Sequence, residues 1–358
     1  MDTALQSLVD QVQAAVASHT PLCIRGSGSK DFYGNLPQGQ VLDVRHWQGI
    51  VDYDPSELVI TARAGTPLAL LETMLSEQDQ MLAFEPPHFG PAATVGGCVA
   101  AGLAGPRRAS AGTTQGAVRD FVLGTRLLDG RARQLRFGGT VIKNVAGYDV
   151  SRLLAGSLGI LGVILEVSLK VLPRPRAELT LQQDCDETTA LLRCNQWGGQ
   201  PLPLSATHWH NGLLSVRLAG AEAAVREAAG TLGGQPLPAA NAAQFWTALR
   251  EQSSHFFAGD LPLWRVSVPS TAAALGFDAW QCIEWGGAQR WLRSDLPAAQ
   301  LRARANQLGG HATLFRGGDR SAGVFTPVSS AVLRVHRGLK AEFDPAGIFN
   351  PGRLIQGL

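Results

Sequence analysis
The pattern of apolar and polar positions divides the chain into elements. Leu5, Leu8, Val9, Val12 and Val16 recur on one helical face, which predicts an amphipathic helix over residues 3–18. A membrane-surface role for it is disfavoured, because its polar face lacks Lys and Arg. Pro21–Ile24, Val41–Val44 and Leu58–Ala64 read as strands, the last with alternating faces. A helix begins at Gly65-Thr66-Pro67 and reaches about Gln78. A strand ends at Leu128, Asp129-Gly130 signals a hairpin, and Ala132–Phe137 returns. The densest run is Val163–Leu172. Val163, Leu165, Val167, Leu169 and Val171 share one face there, with Glu166, Ser168 and Lys170 opposite. That is the period of a strand with one deeply buried face, ended by Pro173 and Pro175.

Leu172-Pro173-Arg174-Pro175-Arg176 reads as a linker. Seven of the eight tryptophans follow it. Leu204–Trp209 and Leu213–Leu218 bracket Asn211-Gly212, a strong hairpin signal, and Ala221–Leu232 is helical. A second half repeats the scheme crudely. Leu263–Val268 is a strand, residues 270–275 a helical piece, Ala298–Leu308 a helix and His311–Phe315 a strand. Two βα repeats of this kind make an α+β unit, followed by a helix over 329–343.

Length and composition narrow the class. A chain of 358 residues exceeds one ordinary domain, and 45% apolar residues supply real cores. Charged residues are only 17%, below the usual ~25%, which favours a surface partly covered by partners. The net charge of +2 and the absence of a basic block argue against nucleic acid, so the tryptophans read as core or interface. None of the five cysteines forms Cys-x-x-Cys, so no iron–sulfur cluster or zinc site is expected in the chain itself. Free thiols in a reducing cytoplasm are the plain reading. No signal-peptide pattern and no run of ~20 apolar residues occurs, which points to a cytoplasmic protein.

Candidate chemistry sits in the glycine-rich segments. Arg25-Gly26-Ser27-Gly28-Ser29-Lys30 follows the first short strand, where successive small residues let backbone N–H groups surround an anion. Asp31 stands where a Rossmann fingerprint needs its third glycine, and Ser29 where a Walker A loop needs one. Taken alone, the loop is equally a plain turn. The second segment runs from Pro86 to Gly97 and on to Gly105. A flat ring system and a pyrophosphate approach backbone closely only where side chains are minimal; the alternative is a small-residue helix against a sheet. Glycines 147, 156, 159 and 162 punctuate a third, apolar segment.

That third segment carries a resemblance. Lys143-Asn144-Val145-Ala146-Gly147-Tyr148-Asp149, then Gly156-Ser157, then Gly162-Val163-Ile164-Leu165-Glu166 resembles the FAD-binding domain of the vanillyl-alcohol oxidase family, the PCMH-type fold. Within it the wording is similar to the D-2-hydroxyacid dehydrogenases, and most to the smaller FAD-binding subunits of bacterial glycolate oxidases. The resemblance implies an α+β protein with a two-subdomain PCMH-type domain over 1–175. A cap would span 176–328, and 329–358 would return to the first domain. It implies FAD, its pyrophosphate held by the loop Arg25, Gly26, Ser27, Gly28, Ser29 and Lys30. Pro87, Thr94, Val95, Gly96, Gly97 and Gly102 would follow the flavin and pyrophosphate, with Asp120, Gly162, Ile164 and Asn350 near the cofactor. Some relatives bond flavin covalently through a histidine near the positions of Ser29 and Lys30; here there is none, so noncovalent FAD is expected. The partners implied are a larger homologous flavoprotein and an iron–sulfur subunit, through which the chain would reach the inner face of a membrane.

The departures bear on function. Relatives that perform catalysis carry His-rich metal positions in the cap and a Ser-x-Glu-His-Gly step; here that region reads Leu314 to Gly323 without a Glu-His pair. Leu158 replaces the Glu of the family's Gly-Ser-Glu-Gly, and Gly102-Leu103-Ala104-Gly105 departs from Asn-Ala-Gly-Gly. His208 and His210 alternate on one strand face with no third ligand near, so no metal is expected. Lys143, Arg152 and Arg353 can anchor a carboxylate and His88 sits in the second glycine segment, but no catalytic set is legible. Three readings remain. The first is a subunit of a complex oxidising glycolate or a similar D-2-hydroxyacid. The second is a non-catalytic FAD-bearing assembly or electron-relay subunit, and the third a free-standing flavin-dependent alcohol oxidase.

Overall fold
The computed structural model describes residues 2–110, 116–140 and 148–358. Helix α1 (Thr3–Ser18) opens the chain, with the Asp2 carboxylate accepting from the Ala4 N–H at its start. It lays Leu5, Leu8, Val9 and Val12 over the parallel pair β1 (Leu22–Arg25) and β2 (Gln40–Asp43). Next come β3 (Ile50–Asp54), β4 (Val59–Arg63), α2 (Leu68–Glu77), β5 (Gln80–Met81) and α3 (Val95–Ala101). Then follow α4 (Val118–Phe121), β6 (Val122–Leu128), β7 (Gln134–Gly138), α5 (Val150–Leu153), β8 (Val163–Lys170) and β9 (Leu172–Pro173). Five of these strands form an antiparallel sheet in the order β3-β4-β8-β6-β7.

Strand β8 corrects the sequence reading in two ways. It is the middle strand and is buried on both sides, so Glu166 and Ser168 are buried as well. Ser168 meets Thr61 across the sheet at 2.8 Å, and Glu166 meets Arg126 at 2.8 Å. Its apolar residues also do not share one face. Val163 and Leu165 pack with α1, whereas Val167 and Leu169 pack with α2 and α3. The pairing with β6 shifts between Arg126↔Glu166 and Leu127↔Ile164, a bulge that moves the pleat by one residue.

Beyond β9 the chain forms β10 (Ala177–Asp184), α6 (Glu187–Gly198), β11 (Leu204–His210), β12 (Leu213–Gly220), α7 (Glu222–Leu232), β13 (Gln235–Leu237) and α8 (Ala239–Arg250). Then come β14 (Leu263–Ser267), β15 (Trp280–Glu284), β16 (Gln289–Arg293), α9 (Ala298–Gln307), β17 (His311–Arg316) and α10 (Ser330–Phe343). The strands build one eight-stranded sheet, β13-β10-β12-β11-β15-β16-β14-β17. Asn211 and Gly212 turn the β11–β12 hairpin with φ of 48° and 81°, as an Asn-Gly turn requires. The helical piece expected at 270–275 is absent, because its carbonyls are taken elsewhere. The buried Arg290 guanidinium donates to the carbonyls of Ala272 and Ala273, and Arg304 to those of Ala274 and Leu275.

The two sheets are joined by an apolar and a charged contact. Tyr33, Ala101, Leu103 and Leu158 pack with Trp246, Trp291 and Phe315 in one core cluster. Beside it Glu85 pairs with Arg217 of β12 at 2.9 Å and with Arg107, which reaches Glu178 of β10 at 2.5 Å. The turn at 344–353 runs back beneath α1, where Leu22 bridges Phe349 and both are buried.

Candidate functional site
The loop Arg25–Lys30 leaves β1 and lines one cavity together with Thr94 and Gly97 of the α3 start, Leu158, Asn350 and Arg353. The N–H groups of Gly26, Ser27 and Gly28 meet no acceptor among the described residues. Gly28 has φ of 78°, and a Cβ on it would lie 2.5 Å from the Arg25 guanidinium; a Cβ on Gly26 would collide with the Thr94 hydroxyl. A cradle of free amides with no room for side chains suits an anion. The cavity is open to solvent on one side and holds about 90 Å³, room for a phosphate-bearing segment.

Cations surround the cradle. Arg25 pairs with Asp31 at 2.6 Å. Lys30 is held inside, its Nζ donating to the His88 carbonyl at 3.1 Å above the Phe89 ring. Burial pushes its ammonium below the ordinary lysine range, opposed by Cys98 and Glu251. Arg353 donates to the carbonyls of Lys30, Asp31 and Asn35, and burial pushes its guanidinium down as well. Asn350 closes the far side. Its Oδ1 accepts from the Ile24 N–H at 2.7 Å, and its Nδ2 donates to the Leu158 carbonyl at 2.6 Å. Its amide is thus spent on backbone, bracing β1 against the 156–158 loop.

Ten of the residues singled out in the sequence therefore meet: Arg25, Gly26, Ser27, Gly28, Ser29, Lys30, Thr94, Gly97, Asn350 and Arg353. The others lie elsewhere. Val95 and Ile164 are in the core, and Gly96 packs directly on Ala64 of the strand beneath, as the helix reading of this segment requires. Gly102 ends α3 with φ of 64° against Gly156. Gly162 faces the Leu128 carbonyl. Asp120 accepts from the Ala117 N–H and lies 3.8 Å from Arg119. Arg152 pairs with Asp149 on the surface, and Lys143 and Asn144 lie outside the described residues. His88 is half-buried and its Nε2 meets Glu72 at 3.0 Å.

Pro87 faces a second cleft, between the glycine segment and the eight-stranded sheet. Phe89, Trp291 and Phe315 wall it, Arg265 and Glu284 supply its charge, and it encloses only about 20 Å³. Burial pushes Glu284 up to about 7, although Trp291 Nε1 and Gln289 Nε2 donate to its carboxyl at 2.6 and 2.8 Å. His208 is pushed down to about 3 by burial and by His210, whose Nδ1 lies 2.8 Å from the Gln281 carbonyl. No group of three or more metal-binding side chains gathers among the described residues. Sequence reading missed Glu251, whose carboxylate accepts from the His88 and Phe89 N–H groups, as well as Arg265, Glu284 and Arg320. For Arg320 the flanking Gly317-Gly318 and Gly323 were the available turn signal.

Comparison with known proteins accounts for this arrangement. The FAD binding domain family matches residues 3–151. The chain is 50% identical to glycolate oxidase subunit GlcE of Escherichia coli K12 over 353 residues, covering 99% of this chain and 98% of that one. It is 32% identical to glycolate oxidase subunit GlcD of Bacillus subtilis over 164 residues, which is 45% of this chain and 34% of the other. The fold matches alkyldihydroxyacetonephosphate synthase with a TM-score of 0.68 over 98% of this chain, at 16% identity. FAD is therefore the cofactor, and the amide cradle around Gly26 and Gly28 fits its phosphates. The chain belongs to the PCMH-type FAD-binding oxidoreductase family, among the glycolate oxidase subunits.

Proposed function
We propose that this chain is the FAD-binding subunit of a complex that oxidises glycolate or a similar D-2-hydroxyacid. The substrate chemistry would be carried by a larger homologous flavoprotein, and electrons would leave to an iron–sulfur partner. The observation that carries this reading is the narrow cleft beside Pro87, where Phe89, Trp291 and Phe315 leave about 20 Å³, with no group of three metal-binding side chains among the described residues.

FAD, when bound, supplies an acceptor for the hydride of an alcohol carbon. This chain's own residues bind and exclude. The amides of residues 26–28 hold the phosphates, Arg353 and Asn350 brace the loop, and Leu158 covers the cavity with an apolar side chain. His88 Nε2 is tied to Glu72 and Lys30 Nζ to the His88 carbonyl, so both side chains are held in place beside the loop. In this reading residues 1–175 are the FAD domain, 176–328 the cap, and 329–358 the returning segment. Among the described residues no helix is long and apolar enough to cross a membrane, so any membrane contact would come through the complex.

The narrow cleft also favours a second reading, a subunit that only relays electrons or assembles the complex. Stopped-flow reduction by saturating glycolate tests both. The isolated chain's flavin should stay oxidised; bleaching at the turnover rate of the complete complex would sink the proposal. Within the complex, reduction of this chain's flavin inside one turnover marks a relay.

A further inference from the structure
The segment Lys30–Asn35 continues directly from the phosphate loop, and guanidinium groups hold five of its six carbonyls. Arg353 takes those of Lys30, Asp31 and Asn35. Arg320 takes the other two, donating to Phe32 at 2.8 Å and to Gly34 at 3.1 Å. Arg320 belongs to the eight-stranded sheet unit, on the turn that follows β17. That turn is built to aim it. Gly317, Gly318 and Gly323 adopt φ of 70°, 69° and 74°. The Asp319 carboxylate accepts from the N–H and hydroxyl of Ser321, and Arg302 of α9 donates to the Ala322 and Gly323 carbonyls. Asn35 ties the same turn to the returning segment, accepting from the Val324 N–H and donating to the Gly352 carbonyl.

The contact reaches the cradle through two backbone bonds. The Tyr33 N–H donates to the Lys30 carbonyl and the Asp31 N–H to the Gly28 carbonyl, both at 3.0 Å. Fixing Phe32 and Gly34 therefore fixes the turn whose other end is Gly28, one of the residues with a free amide. We infer that Arg320 is a positioning residue for the cofactor loop: through the Phe32 and Gly34 carbonyls, the 317–323 turn of the cap sets the affinity of residues 26–28 for a pyrophosphate. This rests on the reading that this loop holds the pyrophosphate of FAD. Charge-assisted hydrogen bonds to carbonyls are stronger than neutral ones, so their loss frees the segment measurably.

The test uses the full chain with its FAD. FAD release on dilution is followed by the return of flavin fluorescence, and ADP, which carries the pyrophosphate without the ring, is titrated as a competitor. Arg320→Ala should release FAD about tenfold faster and weaken ADP by the same factor, and Arg320→Lys should recover part of the loss. Unchanged release and ADP affinity in Arg320→Ala, with both lost in Gly28→Asp, would overturn the role of Arg320 while leaving the loop in place. Full FAD retention in Gly28→Asp as well would mean that the loop itself is misassigned. Weaker FAD with ADP unchanged would place the effect at the ring and overturn the proposal. If Arg320→Ala does not fold, Arg320→Lys decides: faster amide exchange at 30–35 with weaker ADP supports it, and wild-type values of both overturn it.

Discussion

A single methyl group at residue 26 has nowhere to go, because the Thr94 hydroxyl already occupies the place. Gly28→Asp adds a side chain at a φ of 78° and a negative charge where the proposed cradle would hold two phosphates. FAD content, read as the ratio of flavin to protein absorbance, should fall at least about tenfold, with far-UV circular dichroism unchanged. Attachment is a separate question: with no histidine in the loop, acid precipitation should leave the yellow colour in the supernatant. Glu284 makes a pH prediction. Its folded pKa, about 7, lies above the unfolded carboxylate value, so the folded state holds a proton that the unfolded state has released. Stability is therefore lost as pH rises from about 4.5 through 7. Glu284→Gln should remove that loss, gaining on wild type by on the order of 3 kcal/mol in urea titrations at pH 8 relative to pH 4.5. An equal difference at both pH values would show that Glu284 is ionised in the fold. At this scale the Gly/Ser cluster after β1 was legible only as a small-residue loop, a plain turn as readily as an anion cradle, and it is the fold that leaves its amides without acceptors among the described residues. Arg320 and Glu251 were not, because their partners are backbone groups far away in sequence, and every residue offers those.

Elements with a local signature were readable, and elements decided by distant partners were not. The α1 periodicity and the Asn211-Gly212 turn each state their structure within a few residues. The bulge in β8 does not, since a run of Val, Ile and Leu reads the same in either pleat phase. Residues 270–275 look helical by composition, yet Arg290 and Arg304 outbid the helix for four consecutive carbonyls. Arg290→Met tests this. It leaves the buried Gly287 carbonyl and the part-buried bonds to Ala272 and Ala273 without their donor, and should destabilise the cap by about 2 kcal/mol in urea unfolding. FAD release should stay at the wild-type rate, because the carbonyls that Arg290 holds, Ala272, Ala273 and Gly287, are not part of the 30–35 turn. A cost below about 0.5 kcal/mol would mean that water replaces the guanidinium.

For the molecule as a whole, the two sheets are locked by Glu85 between Arg107 and Arg217. Glu85→Ala leaves Arg217 without its carboxylate and Arg107 with Glu178 alone, and should lower the unfolding free energy of the holoprotein by about 3 kcal/mol. The residual low charge, only 17% of residues, fits a surface meant for partners. The mixed α and β class followed from the sequence, by resemblance for the first unit and by its crude βα repeats for the second, whereas the cleft walled by Phe89, Trp291 and Phe315 came from three distant segments that meet only in the fold. One feature of the chain path reaches into synthesis. The phosphate loop is made among the first thirty residues, but two of its braces, Asn350 and Arg353, are made more than three hundred residues later. A nascent chain on the ribosome therefore carries the cradle without its supports, and cofactor loading waits for release. A message cut just before codon 350 would yield nearly the whole polypeptide, and it would be colourless.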